Sequence, residues 1–319
     1  MKDEKGIWYE GSGLVSKWRE VFESVGKELE VQEGFDEEER VEVEKEVERW
    51  EREGRRMEDE YIVQETDEGV RVMGMDMDIH RWEVERSIKG MKNGKEVGED
   101  RVVTEVMRFG DEWMVESLWR LCRGVFASEK VPGGWLKSIK VAVLKKGSGE
   151  SFADYRGVTL LSVVGKVFGK VIEKRIRVFC EEKGLLSDCQ FGFREGRSCR
   201  DGLLVLSEVL KRRGEGRVFM GFLDIAKAYD SVWRGGLWKK LLDLGIRGRM
   251  WRVLKSMYSK CEVGVRVGGV VHEWYEEMVG VRQGCVLSPL LFAIYINDLA
   301  GEIGRRGGRG EGTGVDVCR

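Results

Sequence analysis

The sequence predicts an α+β fold, on three observations. Apolar residues recur at helical spacing through Ser162–Lys183, where Val164, Phe168, Val171, Ile172, Ile176 and Phe179 share one face. The short run Val218–Asp224 is almost continuously apolar, which suits a strand buried on both faces. Glu262–Val267 and Val270–Glu276 flank Gly268-Gly269, the pattern of a hairpin.

The remaining elements follow in chain order. Residues 13–30 and 37–57 predict two charged helices. Leu14, Trp18, Val21 and Phe22 mark the apolar face of the first, and Val43, Val47 and Trp50 that of the second. The acidic second helix suits a solvated element better than a binding tail. Residues 61–78 have weak pattern and predict a loop. A helix near Ile79–Met91 precedes the loop KNGKEVGED, and helices near Val102–Phe109 and Asp111–Phe126 come next. Ser138–Leu144 alternates as a strand does. Gly184 ends the helix over Ser162–Lys183. Further helices are predicted at Arg200–Arg213, Leu237–Leu244 and Arg247–Lys260. The last, Ser288–Ile303, carries Pro289 at its start, where a missing N–H costs nothing. The tail GRRGGRGEGTGVDVCR is Gly-rich and is expected to be unstructured.

With 319 residues and 42% hydrophobic content, the chain is long and apolar enough for two domains with a real core. The net charge of -2 hides an asymmetry. Residues 21–70 hold 7 basic and 20 acidic side chains, while residues 131–260 hold 27 basic and 13 acidic, net +14. A basic stretch of that size is the footprint expected of a nucleic-acid surface, but on charge alone a solvated surface of helical charge pairs is the better reading. Seven cysteines without a C-x-x-C pair, and only two histidines, argue against a disulfide framework and a zinc site. The start MKDEKGIWYE lacks the apolar run of a signal peptide. Val286–Ile296 is too short for the roughly 20 residues of a membrane span. An intracellular, non-secreted chain without membrane partners is the expectation.

The densest chemistry is in GFLDIAKAYDSV, residues 221–232. The strand expected there delivers Asp224 at its C-terminal end, where an unpaired charge cannot be a routine core residue. Facing a cleft, that carboxylate could hold a hard divalent ion such as Mg²⁺. Taken alone, it reads better as a cap on the next helix. A second string, GVRQGCVLSPLLFAIYINDL at residues 280–299, places Gln283-Gly284 before Ser288-Pro289 at a helix start. Gln283 offers a donor and an acceptor, and Gly284 permits close backbone approach. Without the first string, this is a loop and an apolar helix.

D-x-x-K-A-Y-D at residues 224–230 resembles the first metal-binding motif of reverse transcriptases, specifically those of non-LTR (LINE-type) retrotransposons. Residues 280–299 resemble the template-positioning motif of the same family. LKKGSGESFADYRGVTLLSVVGKVFGKVI (144–172) resembles its triphosphate-gripping fingers motif, and QFGFREGRSCRDGLLVL (190–206) its template-holding segment. GMKNGKEVGED (90–100) resembles the leading segment more loosely. Relatives usually carry Pro where Gly157 stands. The resemblance runs from about Trp8 to the end.

It implies a right-hand polymerase architecture. Residues 1–78 would form a helical N-terminal extension, 79–215 the fingers, 216–303 a partial palm, and 304–319 a Gly-rich tail. The implied activity is RNA-directed DNA synthesis from an RNA template, a DNA primer and dNTPs, with two Mg²⁺ ions in the complete enzyme. Asp224 would be the catalytic metal ligand, assisted by the backbone carbonyl of Ile225. Lys145, Lys146, Arg156 and Gln283 would contact the nucleotide. Tyr229 would be the aromatic gate that leaves no room for a 2′-hydroxyl, although core packing is an alternative use of its ring. Asp230 would fix local structure. Phe191, Phe193, Arg194, Arg197, Gly284, Ser288 and Pro289 would hold the template. The family's third motif, Tyr/Phe-x-Asp-Asp, is absent, because the sequence contains no Asp-Asp pair. The expectation is therefore a chain that stops short of a complete catalytic site and is inactive as given. It would be a fragment of an active polymerase, a non-catalytic nucleic-acid binder, or a decayed element.

Overall fold

The computed structural model describes residues 1–3, 5, 7–26, 36–53, 75–145, 147–212, 220–225, 227–299 and 301–302. Its helices are α1 (Gly11–Gly26), α2 (Glu37–Glu53), α3 (Arg81–Lys89), α4 (Thr104–Phe109), α5 (Glu112–Ser128), α6 (Gly133–Leu136), α7 (Val163–Glu182), α8 (Cys199–Arg212), α9 (Arg234–Asp243), α10 (Gly248–Met257) and α11 (Ser288–Tyr295). The strands are β1 (Lys137–Leu144), β2 (Tyr155–Leu161), β3 (Glu262–Val267) and β4 (Val270–Glu276).

Helix α7 is the spine. The Ser162 hydroxyl accepts from the Gly165 amide at 3.1 Å and caps its start. Gly184, at φ +61°, takes the left-handed turn that ends it. Val167, Phe168, Ile172 and Ile176 are fully buried in the main core, with residues of α9, α10 and α11. In the same helix Arg175 is also buried. It forks onto both Glu83 oxygens at 2.7 Å and donates to the Met75 and Asp78 carbonyls at 3.2 and 2.9 Å. A buried charge survives only when paired and hydrogen-bonded in this way.

The sheet has strand order β2-β1-β3-β4. β1 pairs antiparallel with β2 and parallel with β3, and the hairpin β3–β4 forms over the predicted residues. β2 was not expected as a strand, because its first residues, Tyr155-Arg156-Gly157, show no apolar period. The loop before it is fixed instead by Asp154, whose carboxylate accepts from the Gly149 and Ser151 amides at 3.2 and 3.4 Å.

Helix α1 lies over the sheet. Its Trp18 and Phe22 join Phe152, Val263, Val265 and Tyr275 in a second, smaller core. Trp18 stacks on Phe22 and meets the rings of Phe152 and Tyr155 edge-on. The Lys2 amide donates to the Glu150 carbonyl at 2.7 Å, so the first residues also brace the β1–β2 loop.

Three expectations need correction. Helix α2 is not merely solvated: Val47 is buried, Glu46 lies 3.5 Å from Lys239, and Glu51 pairs with Lys255. Arg247 covers the Trp50 ring at 4.6 Å. Two acidic side chains of α2 thus meet basic partners on α9 and α10. Secondly, Met220–Ile225 is not a strand, and Phe222 and Leu223 are 83% and 82% exposed. The four described strands pair with one another and none runs beside this segment, so its apolar side chains have no surface to bury against. Val218 and Phe219 lie outside the described residues. Thirdly, α11 stops at Tyr295 instead of running to residue 303. Asn297 turns toward another loop, accepting from the Ser187 amide at 2.7 Å and donating to the Leu185 carbonyl at 2.8 Å. The tail and most of 61–78 lie outside the described residues.

Candidate nucleotide and template site

The two diagnostic strings are distant in sequence and in direct contact in space. The Val281 amide donates to the Tyr229 carbonyl at 2.7 Å, and the Gly280 amide to the Val232 carbonyl at 2.8 Å. Gly280 has φ +81°, and a Cβ there would sit 2.8 Å from the Tyr229 carbonyl oxygen, so only glycine fits. Gly284 repeats the pattern with φ +87°. Its Cβ would meet the Thr159 carbonyl oxygen of β2 at 2.7 Å. The close approach expected of Gly284 is real, but what approaches is β2. Between these glycines, the Gln283 amide donates from Nε2 to Asp230 Oδ2 at 2.6 Å. Burial pushes the Asp230 carboxyl above its usual range, against the opposing pull of Lys140.

This clamp forms one wall of a pocket of about 700 Å³. Lys145 at the end of β1, Arg156 on β2, Lys227 and Gln283 line it. Lys145 and Arg156 are brought together by the β1–β2 register, in which Arg156 faces Val143 and Tyr155 faces Leu144. The Lys145 amide donates to the Asp154 carbonyl at 2.7 Å. Both side chains are exposed and form no ion pair with described residues. Lys140 also lines the pocket but is buried and 3.1 Å from Glu277. Burial opposes its charge, yet Glu277, Tyr275 and Asp230 together hold it above the ordinary lysine value. Helix α1 supplies the opposite wall through Lys17, Glu20 and Phe22. Phe22 packs against Gly157, where a Cβ would lie 3.0 Å from its ring.

The other expected residues divide. Lys146 lies outside the described residues. Asp224 and Ile225 are exposed on the open segment and do not line the pocket. Tyr229 is half-buried, edge-on to Phe292 at 5.3 Å and 6.3 Å from Phe193. Its packing use is therefore realised, next to the pocket-lining Asp230. Phe193 is 49% exposed at φ +60°, while Phe191 lies under the Arg197 guanidinium at 5.8 Å. Pro289 is half-buried in the first turn of α11.

Two template residues are corrected. Arg194 forks onto Glu181 at 3.1 and 2.6 Å and donates to the Leu186 and Ser187 carbonyls at 3.3 and 2.8 Å. Its side chain is 7% exposed, so its charge is spent on holding the loop. Ser288 is buried, and its hydroxyl donates to the Arg282 carbonyl at 2.7 Å, closing the loop from within. Arg197 is partly committed to Asp188, at 2.5 Å. Lys227, inside the D-x-x-K string, is a further lining residue whose only signal in the sequence is that place in the motif. Lys140 is another, and its mid-strand position was its only signal. The α1 wall had no signal, because the contact is entirely long-range.

Basic side chains converge on a cleft beside an amide held by a carboxylate, an arrangement whose chemistry suits an anionic, hydrogen-bonding ligand. Residues 143–311, more than half of the chain, match the family of the reverse transcriptase (RNA-dependent DNA polymerase), and the chain belongs to that family. It is 28% identical over 244 residues to the probable RNA-directed DNA polymerase from transposon X-element of Drosophila melanogaster, covering 74% of this chain and 27% of that one. It is 27% identical over 220 residues to the probable RNA-directed DNA polymerase from transposon BS, and likewise to the RNA-directed DNA polymerase from mobile element jockey, of the same organism. Each of the last two matches covers 68% of this chain and 24% of the relative. The chain spans about a quarter of the length of these relatives. They place it with the reverse transcriptases of non-LTR retrotransposons, as the motifs implied.

Polymerases of this family use divalent metal ions, a template-primer and nucleotides. Two-metal phosphoryl transfer needs carboxylates that hold both ions about 4 Å apart. Among the described residues no three His, Cys, Asp or Glu side chains form such a group, and Asp224 stands alone. The described residues therefore do not fit a two-ion site. No described helix is long and apolar enough to cross a membrane.

Proposed function

We propose that this chain is the nucleotide- and template-holding part of an RNA-directed DNA polymerase, and that it does not polymerise by itself. The β1–β2 pair, α7 and the loop through Arg197 correspond to fingers, and the clamp of residues 227–232 by 280–284 to the base of a palm. Lys145 and Arg156 hold the triphosphate of a dNTP, Gln283 its sugar-base side, and Tyr229 excludes ribonucleotides. Phe191, Phe193, Arg197, Gly284 and Pro289 guide an RNA template, and Asp224 with the Ile225 carbonyl takes up Mg²⁺ once further carboxylates are supplied. The observation that carries this reading is the pocket, in which two separate motifs contribute cations and an amide to one cavity.

Equilibrium dialysis of labelled dTTP against the 319-residue chain tests it. Binding is expected, weakened at least tenfold by Arg156→Ala, with no primer extension on an RNA template in Mg²⁺ or Mn²⁺. Absence of dTTP binding would overturn the pocket assignment. Reproducible dNTP incorporation would overturn the claim of inactivity.

A further inference from the structure

Five lysines line the pocket, and their surroundings differ. Lys140 is neutralised by Glu277, and Lys17 by Glu20 at 2.7 Å. Lys5 is exposed and its ammonium forms no ion pair with a described residue, although its backbone amide donates to the Asp3 carboxylate at 2.9 Å. Lys145 and Lys227 are exposed and form no ion pair with a described residue. Lys227 also has φ +51°, a left-handed backbone that costs a branched or long side chain energy. That conformation is held by the Asp230 and Ser231 amides, which donate to the Lys227 carbonyl at 2.8 and 3.0 Å. The Lys227 charge also helps Lys140 to draw down the Asp230 carboxyl, but it makes no direct ion pair, and strain retained on an exposed cation at a cleft marks a side chain open to a ligand.

We infer that Lys227 is a third phosphate-binding cation, acting with Lys145 and Arg156 on the triphosphate. The three reach the pocket from three separate segments: the β1 end, β2 and the 227–232 turn. An ammonium on a flexible stem can follow a phosphate as the nucleotide settles, whereas the planar Arg156 fork fixes one orientation. The inference rests on the proposed nucleotide pocket, and goes beyond it by assigning to the Lys227 ammonium a phosphate contact that the motif reading did not give it.

Lys227→Asn is the informative variant, because asparagine tolerates the left-handed backbone and so removes charge without adding strain. Lys227→Arg keeps the charge. With dTTP as probe, in the full chain, Lys227→Asn is expected to weaken binding about tenfold, the loss typical of a charge-assisted hydrogen bond. Lys227→Arg is expected to stay within about threefold, with inorganic tripolyphosphate showing the same order and thymidine unaffected. Thermal melts of all variants should coincide with that of the parent chain. If Lys227→Asn binds dTTP as the parent does while Arg156→Ala loses binding, the Lys227 assignment is wrong and the pocket reading stands. If neither substitution changes dTTP binding, both fall together.

Discussion

The arginines around α7 and the cations at the pocket rim come from one basic stretch of sequence, yet the fold uses them in opposite ways. Arg175 and Arg194 are sunk into the protein, each forked onto a carboxylate and backed by main-chain carbonyls. Lys145, Arg156 and Lys227 stand exposed and form no ion pair with the described residues. The net charge of +14 over residues 131–260 therefore overstates the surface available to a nucleic acid. The absence of an internal ion-pair partner, which only the folded arrangement displays, is what leaves a cation open to a ligand.

That contrast can be broken by experiment. Arg175→Ala leaves Glu83 buried and unpaired and should cost about 3–5 kcal/mol in a urea melt. A loss below about 1 kcal/mol would mean that the pair is solvated. Arg194→Ala should cost about 1–3 kcal/mol, toward the lower figure because Glu181 keeps contact with water. Its dTTP affinity should be that of the parent chain, and a specific loss would return Arg194 to the ligand set. Arg156→Ala should change stability by no more than about 0.5 kcal/mol while dTTP binding falls tenfold. The double variant Phe222→Ser, Leu223→Ser should likewise leave the melt within about 0.5 kcal/mol, and should reduce light scattering at high concentration. A clear destabilisation would show that the segment is covered in solution. The smallest effect concerns pH. Burial raises the Asp230 pKa in the folded state, against the pull of Lys140, so the folded chain holds that proton more tightly than the unfolded chain. Stability from this group is present below the unfolded carboxylate pKa and is lost as pH rises through the folded one. Asp230→Asn should flatten the stability profile across that window, and an unchanged slope would assign it to other groups.

Local pattern carried much of the fold into view. The apolar face of α7, the Gly184 that ends it and the Gly268-Gly269 hairpin are properties of neighbouring residues, and all are present. Val218–Asp224 misled for the complementary reason. An apolar run states a demand for burial, and whether a partner strand meets it is decided elsewhere in the chain. The site followed the same rule. Gln283, Lys145 and Arg156 could be proposed from motif resemblance, and the pocket brings them together. Arg194 and Ser288 could not be sorted from template contacts, because Glu181 and the Arg282 carbonyl reach them only through the fold. Helix α1, at the far end of the sequence from the β3–β4 hairpin it covers, was legible as a helix but not as a pocket wall.

The parallel pairing of β1 with β3 sets the order in which the molecule can be built. Residues 137–141 must wait for residues 262–266, and everything from β2 to α10 is made between them. Closing so long a loop is entropically slow, and topologies dominated by distant contacts fold late. Emerging from the ribosome, α7 can gather its helical neighbours while β1 and β2 remain an unsupported pair. Arg156 and Gln283 line one cleft although β3 and β4 lie between them in the chain, so a ligand held by both would report that this distant contact has formed.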